Sequence, residues 1–579
     1  MKRFFSGILC LFFLGLLLSG DIECKKDRQS IQNEAGFITI EPILFYFHYG
    51  SYTHRLRLQS SEARIWYSFH AADQDGWKKP LFVFFNGGPG SSTHSGLLSM
   101  YTSRYTLDNQ IDSGGGDFFI PNPFSWTQIG NLLYIDARQT GFSYNLMNQV
   151  RDFGARFREF NAQNFNPFFD GADFIRVILR FLAVHPQLQR NPVIIVGESY
   201  GGARSINMLH ILLNYTDYGD GSEMYQDKAL VDEIQAHFNA VFAQYQNKVV
   251  PPEVISQQFG HQILIQPAIS TGYQAQFTDE LLLQPGGLID QYELETGVAY
   301  DPNVHNDPLS FISDVAGRDI YIHSKRRGWL DGFFMNAARL LRYTNNLILM
   351  TGMNVTTINE LYASARSTAY RVFDPEYDLS LLPFNPAPRI QSHFLEFARQ
   401  ETQDIKAEPG DLALVFGILQ PWDRYFLDLN YHAYWAFHVF NVAKVRGYEV
   451  DFYMARFGRM FLKNVAHVNT FITRAPLDLV IYPDAIPPSL AMEEDILESV
   501  QYVKQPLNGE ERPGYIILEY RSSAFPDIPN IGTKIIRFPL YSVSCHAVSL
   551  TQPEELITDV SIWLKENGID VDQENRGVK

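Results

Sequence analysis

Cysteine is scarce. Three occur in 579 residues, and one of these lies in an N-terminal apolar stretch, which leaves Cys24 and Cys545 and excludes a small fold stapled by a disulfide framework. Basic charge is also short: 47 Lys and Arg stand against 64 Asp and Glu, for a formal net charge of -17. No basic run is long enough for a nucleic-acid arm, so nucleic acid is not expected as a partner. Beyond the N-terminus no apolar segment is long enough to span a bilayer. No His, Cys, Asp or Glu spacing argues for a metal; His94 and His467 read as ordinary polar residues, and no cofactor is expected. What the chain does have is 46% hydrophobic residues, enough for one large α/β domain with insertions or for two to three ordinary domains.

Residues 1–20, MKRFFSGILCLFFLGLLLSG, place Lys2 and Arg3 before an apolar stretch closed by Ser19 and Gly20. That is the build of a secretory signal peptide, and it predicts export to a periplasm or the extracellular space. Cys24 raises the alternative of a lipid anchor, which the preceding Asp21, Ile22 and Glu23 disfavour.

From Phe37 to about Gly272, short runs that are apolar throughout alternate with helical patterns: Leu81 to Phe85, Leu132 to Ile135, Val193 to Val196 and Ile263 to Ile265. Continuous apolarity marks strands buried on both faces, as in a parallel sheet, so the fold class is α/β. Residues 216–255 and 276–405 break the rhythm and read as insertions over the sheet. Apolar runs return at Leu412 to Phe416, Leu477 to Ile481, Ile516 to Leu518 and Ile535 to Phe538. The expected organisation is a signal at 1–20, a core at 37–275, a helical cap at 276–405 and a second core segment at 406–570. The aromatic stretch at 422–437 reads as helix packing, because Tyr425, Leu429, His432 and Ala436 recur at helical intervals.

Gly197-Glu198-Ser199-Tyr200-Gly201 fits G-x-S-x-G, in which a serine sits on a strained strand-to-helix turn. Such pentapeptides also arise by chance. A hydroxyl needs a base, and in this architecture the order along the chain is Ser, then Asp or Glu, then His. His546 follows a C-terminal apolar run and suits the base. The turn NGGPGSS after Phe85 could aim backbone N–H groups at an oxyanion, or be a simple tight loop.

Together, FFNGGPGSS at 84–92, NPFSWTQIGNLLYIDARQTGFSY at 122–144, VGESYGG at 196–202 and CHAVSLTQP at 545–553 resemble the serine carboxypeptidase family. The bacterial members are the most similar, since GESYGG is likewise followed there by a small residue and Arg, here Ala203-Arg204. The resemblance implies an α/β-hydrolase fold, a mostly parallel central sheet flanked by helices, with a helical insertion over the active site. It makes Ser199 the nucleophile and His546 the general base, with the N–H groups of Gly88 and Tyr200 as the oxyanion hole. The triad acid is expected at Asp484, at the end of the run LDLVIYPDAI; Asp478 lies too early if that run is a strand. The resemblance also implies that Asn86, Gly87 and Glu198 bind substrate, Asn86 and Glu198 by holding its C-terminal carboxylate.

The pattern is incomplete. A second carboxylate-binding acid is expected where Met100 stands, Phe84 replaces the usual Trp, Gln266-Pro267 replaces Gly-Asn, and Cys545 replaces the Gly before the histidine. The leading reading is a secreted serine carboxypeptidase that acts on peptides without a cofactor. Two alternatives stay open: an esterase or acyltransferase using the same triad, and a catalytically silent relative that binds peptides.

Overall fold

In the computed structural model the described residues are 31–49, 54–87, 93, 96–107, 119–138, 140, 143–145, 167–269, 283, 289–290, 293, 297–305, 444–445, 448–449, 454–476, 478, 481, 483–505, 514–525, 531–542, 544 and 546–571. The N-terminal signal, Cys24, most of the expected cap, the run Leu412 to Phe416 and the aromatic stretch 422–437 lie outside them.

Among the described residues the core is an 11-stranded sheet. Its principal strands are β1 (Glu34–Ile40), β2 (Ala63–His70), β3 (Leu81–Phe85), β4 (Asn131–Ile135), β5 (Val193–Glu198), β6 (His261–Ile265), β7 (Asn469–Ile472), β8 (Leu497–Val503), β9 (Tyr515–Tyr520) and β10 (Thr533–Arg537). Their spatial order is β1-β2-β4-β3-β5-β6-β7-β10-β9-β8, and the short strand Tyr144–Asn145 pairs with β2. The run β4-β3-β5-β6-β7-β10 is parallel throughout. Antiparallel pairs close both ends, β1 with β2 and β2 with β4 on one side, β10 with β9 and β9 with β8 on the other.

The four apolar runs expected as buried strands are the four neighbours β4, β3, β5 and β6. Their side chains alternate between two cores. Leu81, Val83 and Phe85 of β3 and Val193 and Ile195 of β5 join one cluster, with Phe174, Val177, Ile178, Phe181 and Leu182 of the helix α1 (Pro167–Val184) and much of α2 (Gly201–Leu213). Phe82, Phe84, Ile194 and Val196 point the other way, to Trp126 and to Trp563 of α3 (Pro553–Glu566). Helices therefore cover both faces, which is why these strands carry no polar alternation.

One expected strand is not found among the described residues. Of the expected run Leu477 to Ile481 only Asp478 and Ile481 are described, and neither is in a strand; the strand described in this region is β7, eight positions earlier in sequence at its start. Thr470 and Thr473 made that stretch look less apolar, yet Thr470 is buried and takes a hydrogen bond of 2.9 Å from the Gln262 amide of β6. Among the described residues no helix is long and apolar enough to cross a membrane.

Candidate active site

The parallel strands bring their C-terminal ends together, and the candidate residues lie just beyond them. β5 stops at Glu198, and Ser199 turns the chain into α2 with φ at 60°. That left-handed conformation costs a non-glycine residue roughly 1–3 kcal/mol and persists only where neighbours hold it. Here the Ser199 N–H donates to the Ile265 carbonyl at 3.0 Å, and the Ser199 carbonyl accepts from the N–H groups of Gly202 and Ala268, both at 2.8 Å. A Cβ on Gly197 would come within 2.4 Å of the Gly201 carbonyl oxygen, so the turn is too tight for any side chain before Glu198.

The turn after β3 packs against this elbow. A Cβ on Gly87 would lie 2.3 Å from the Tyr200 nitrogen and 2.8 Å from the Ser199 Cβ. Arg204 on α2 secures the contact from below: its guanidinium donates to the Asn86 carbonyl and, at 2.8 Å, to the buried Asp170 of α1, and it stacks on Phe174. Tyr200, whose N–H is one expected oxyanion donor, is buried beside Ser199. Gly88, the other, lies outside the described residues.

Asn86 and Glu198, expected as substrate-binding residues, are hydrogen-bonded to each other. The Asn86 amide donates to Glu198 Oε1 at 2.6 Å and accepts from the Leu97 N–H at 2.7 Å. Glu198 Oε2 is buried with no hydrogen-bond partner among the described residues. Burial pushes the Glu198 carboxyl up to about 7; Asp478 adds to the rise, while His546 and the Asn86 hydrogen bond oppose it. Near neutrality this side chain is therefore balanced between a carboxylic acid and a carboxylate.

His546 stands between β10 and the next helical turn, buried, and its Nδ1 lies 2.8 Å from Asp478 Oδ2. With Nδ1–H directed at a carboxylate, Nε2 carries the lone pair, which is the tautomer a general base requires. Asp478 also accepts from the Ile481 N–H at 3.2 Å and from the Gln266 side chain at 2.7 Å.

The expectation that Asp484 partners His546 is thus corrected. Asp484 faces Arg474, with contacts of 2.5 and 3.0 Å, and accepts from the Tyr502 hydroxyl at 2.7 Å and from Lys504 at 3.3 Å. The misread strand caused the error. With β7 ending at Ile472, Asp478 occupies the turn that follows the strand, and Asp484 belongs to the helical turns beyond it. The signal for Asp478 was present in the short β-branched stretch NTFIT closed by Arg474-Ala475-Pro476.

Met100, where a second acid was expected, is buried in an apolar cluster with Tyr101, Ala547 and Leu550, against which Phe124 packs. Ala547 is the residue after His546, so the cluster abuts the imidazole segment. Among the described residues no group of three or more His, Cys, Asp or Glu could hold a metal ion.

A serine after β5, an acid after β7 and a histidine after the last parallel strand, on this strand order, define an α/β-hydrolase. The family model described as serine carboxypeptidase matches residues 44–223, so that stretch of the chain is similar to the serine carboxypeptidase family. Serine carboxypeptidase-like 15 of Arabidopsis thaliana is 29% identical over 145 residues, 25% of this chain and 30% of that protein. Serine carboxypeptidase-like 7 of the same plant is 25% identical over 201 residues, 34% of this chain and 40% of that protein. The match thus spans less than half the length of these curated relatives. Among solved structures, a prohormone-processing carboxypeptidase from Saccharomyces cerevisiae aligns over 94% of this chain and 93% of its own, at 12% identity and a TM-score of 0.40. The two curated relatives come from a plant and lend the expected bacterial affinity no support.

Proposed function

We propose that the protein is an exported serine hydrolase that releases C-terminal residues from peptides through an acyl-enzyme on Ser199. The observation that carries the reading is the buried 2.8 Å pair of His546 and Asp478 on a sheet that also presents Ser199 at a strained turn. In the proposed mechanism His546 Nε2 takes the Ser199 proton as Oγ attacks the substrate carbonyl, and Asp478 stabilises the imidazolium that forms. The N–H groups of Tyr200 and Gly88 receive the negative charge on the tetrahedral oxygen. His546 then passes its proton to the leaving amine, and water releases the acyl group by the same steps in reverse.

Glu198 and Asn86 fit a role in holding the substrate's free carboxylate. A carboxyl with its pKa near 7 keeps its proton at mildly acid pH and can donate to an anion that the ionised form repels. Peptide substrates are inferred from the family match, and export rests on residues 1–20 alone.

The second reading is an esterase or acyltransferase with the same triad. The apolar cluster around Met100 favours it, because a site with one acidic residue instead of two has less means to recognise a carboxylate. The third, a silent peptide-binding relative, rested on the irregular turn around Asp484, which is not part of the His546 pair.

A serine-reactive fluorophosphonate tests the hydrolase reading. The folded wild-type protein is expected to label and Ser199→Ala to stay unlabelled; a folded wild type that fails to label removes the reading. Peptides differing only in a free or amidated C-terminus then separate carboxypeptidase from esterase activity, with the free form preferred.

A further inference from the structure

Gln266 stands directly after β6 with φ at 44°, a left-handed conformation that glycine adopts freely and glutamine does not. Gln266 is also fully buried. A long polar side chain in such a place needs every one of its groups bonded, and they are. Its Oε1 accepts from the Ala475 N–H at 2.9 Å and from the Thr473 hydroxyl at 3.1 Å. Its own backbone N–H donates to the same Thr473 hydroxyl oxygen at 2.9 Å. Its Nε2 donates to Asp478 Oδ2 at 2.7 Å, the oxygen that also faces His546 Nδ1. The amide cannot be turned over, since that would point oxygen at a carboxylate and NH2 at an N–H donor.

The neighbours of Gln266 hold the other half of the site. Ile265 accepts from the Ser199 N–H, and Ala268 donates to the Ser199 carbonyl. One turn of four residues therefore grips the backbone of Ser199 while its only long side chain grips Asp478.

Building on the hydrolase reading above, we propose that Gln266 is a positioning residue that sets the Asp478 carboxylate against His546 and ties this pair to the Ser199 elbow. Its amide fixes the rotamer of Asp478. It also shares the charge on Oδ2, so that less of it falls on the imidazole. The left-handed backbone is retained at a non-glycine residue because the amide is required there.

The test compares the full-length protein with Gln266→Gly, Gln266→Met and Gln266→Glu. Glycine keeps the left-handed turn without strain and removes only the amide; methionine fills the space without a donor. Both are expected to lower kcat on the order of 10- to 100-fold with little change in KM, the loss typical of a misplaced reacting group. Both should also move the His546 titration to higher pH, read by NMR of chains carrying 13C-labelled histidine and assigned with His546→Gln. Gln266→Glu is expected to regain activity toward acid pH, where its carboxyl is protonated and can again donate to Asp478. The proposal is overturned if folded Gln266→Gly keeps wild-type kcat and an unmoved His546 titration. The two readouts separate this failure from failure of the hydrolase reading: a wild type without activity whose His546 titration still responds to Gln266→Gly refutes the reaction and leaves the positioning role standing.

Discussion

Two carboxylates follow β7, six positions apart in sequence, and they do opposite things. Asp478 is bonded by an imidazole, a side-chain amide and a backbone N–H. Asp484 is bonded by a guanidinium, an ammonium and a phenol. Both are buried. Burial works to raise the Asp484 pKa, but the Arg474 guanidinium, helped by Lys504 and Tyr502, overcomes burial and holds the carboxyl below its ordinary range. Its charge is already neutralised by a permanent cation. The donors described around Asp478 are an imidazole, a side-chain amide and a backbone N–H, none of them a permanent cation, so in the proposed mechanism its charge faces His546. A buried acid serves a proton-transferring histidine only if no fixed cation has claimed it.

The largest effect that can break this comparison comes from Asp478→Asn. It should leave the fold intact and lower kcat by about 10^4-fold, as loss of the triad acid does in serine hydrolases generally. A fall of less than tenfold would return the acid role to another residue.

Asp484→Asn should act on stability instead. Removing one partner of a buried ion pair leaves Arg474 uncompensated and costs about 3–5 kcal/mol, read by urea unfolding, while kcat of the folded fraction stays within about twofold. The pH dependence has a definite sign. Because the folded-state pKa is lowered from 3.8, the wild-type stabilisation is present above that value and is lost as pH falls further, and the variant should lack this acid limb. A collapse of kcat in folded Asp484→Asn would erase the distinction between the two carboxylates.

Glu198 sharpens it from a third position, as a buried acid that accepts from the Asn86 amide through Oε1 while Oε2 has no hydrogen-bond partner among the described residues. Its carboxyl is raised from 4.5 to about 7. The native state thus keeps a proton that the unfolded chain gives up, so its contribution to stability falls as pH rises from 4.5 to about 7 and is level above that. Glu198→Gln should flatten thermal stability across this window. For peptides with a free C-terminus, wild-type KM should rise above pH 7 by up to about tenfold per pH unit as the ionised form accumulates, and amidated peptides should show no such limb. An identical pH profile for both peptide types would remove Glu198 from carboxylate recognition.

Much of this was legible in the chain. The runs at Leu81 to Phe85 and Val193 to Val196 could be read as double-sided buried strands because every position faces a core. Ser199 was legible from its two glycines, whose requirement is the closeness of the turn to its own helix. His546 was found by order along the chain. The aspartate that faces His546 was missed because hydrophobicity alone ranked Leu477 to Ile481 above Asn469–Ile472. Ile481 owes its burial to packing on Ala268 and not to sheet pairing, and the polar members of β7 are satisfied by neighbours that no local pattern reveals. Gln266 was visible only as a departure from a family pattern.

By itself the sequence determined the α/β class and the turn at Ser199, because each depends on periodicity or on steric limits within a few residues; His546 was singled out by its order along the chain. Which aspartate meets that histidine, and why a glutamine tolerates a left-handed backbone beside it, only the tertiary structure decided. Those contacts join residues 68 and 212 positions apart, and hydrogen-bond partners at such separations are set by how strands stack in the sheet and not by anything adjacent in the chain.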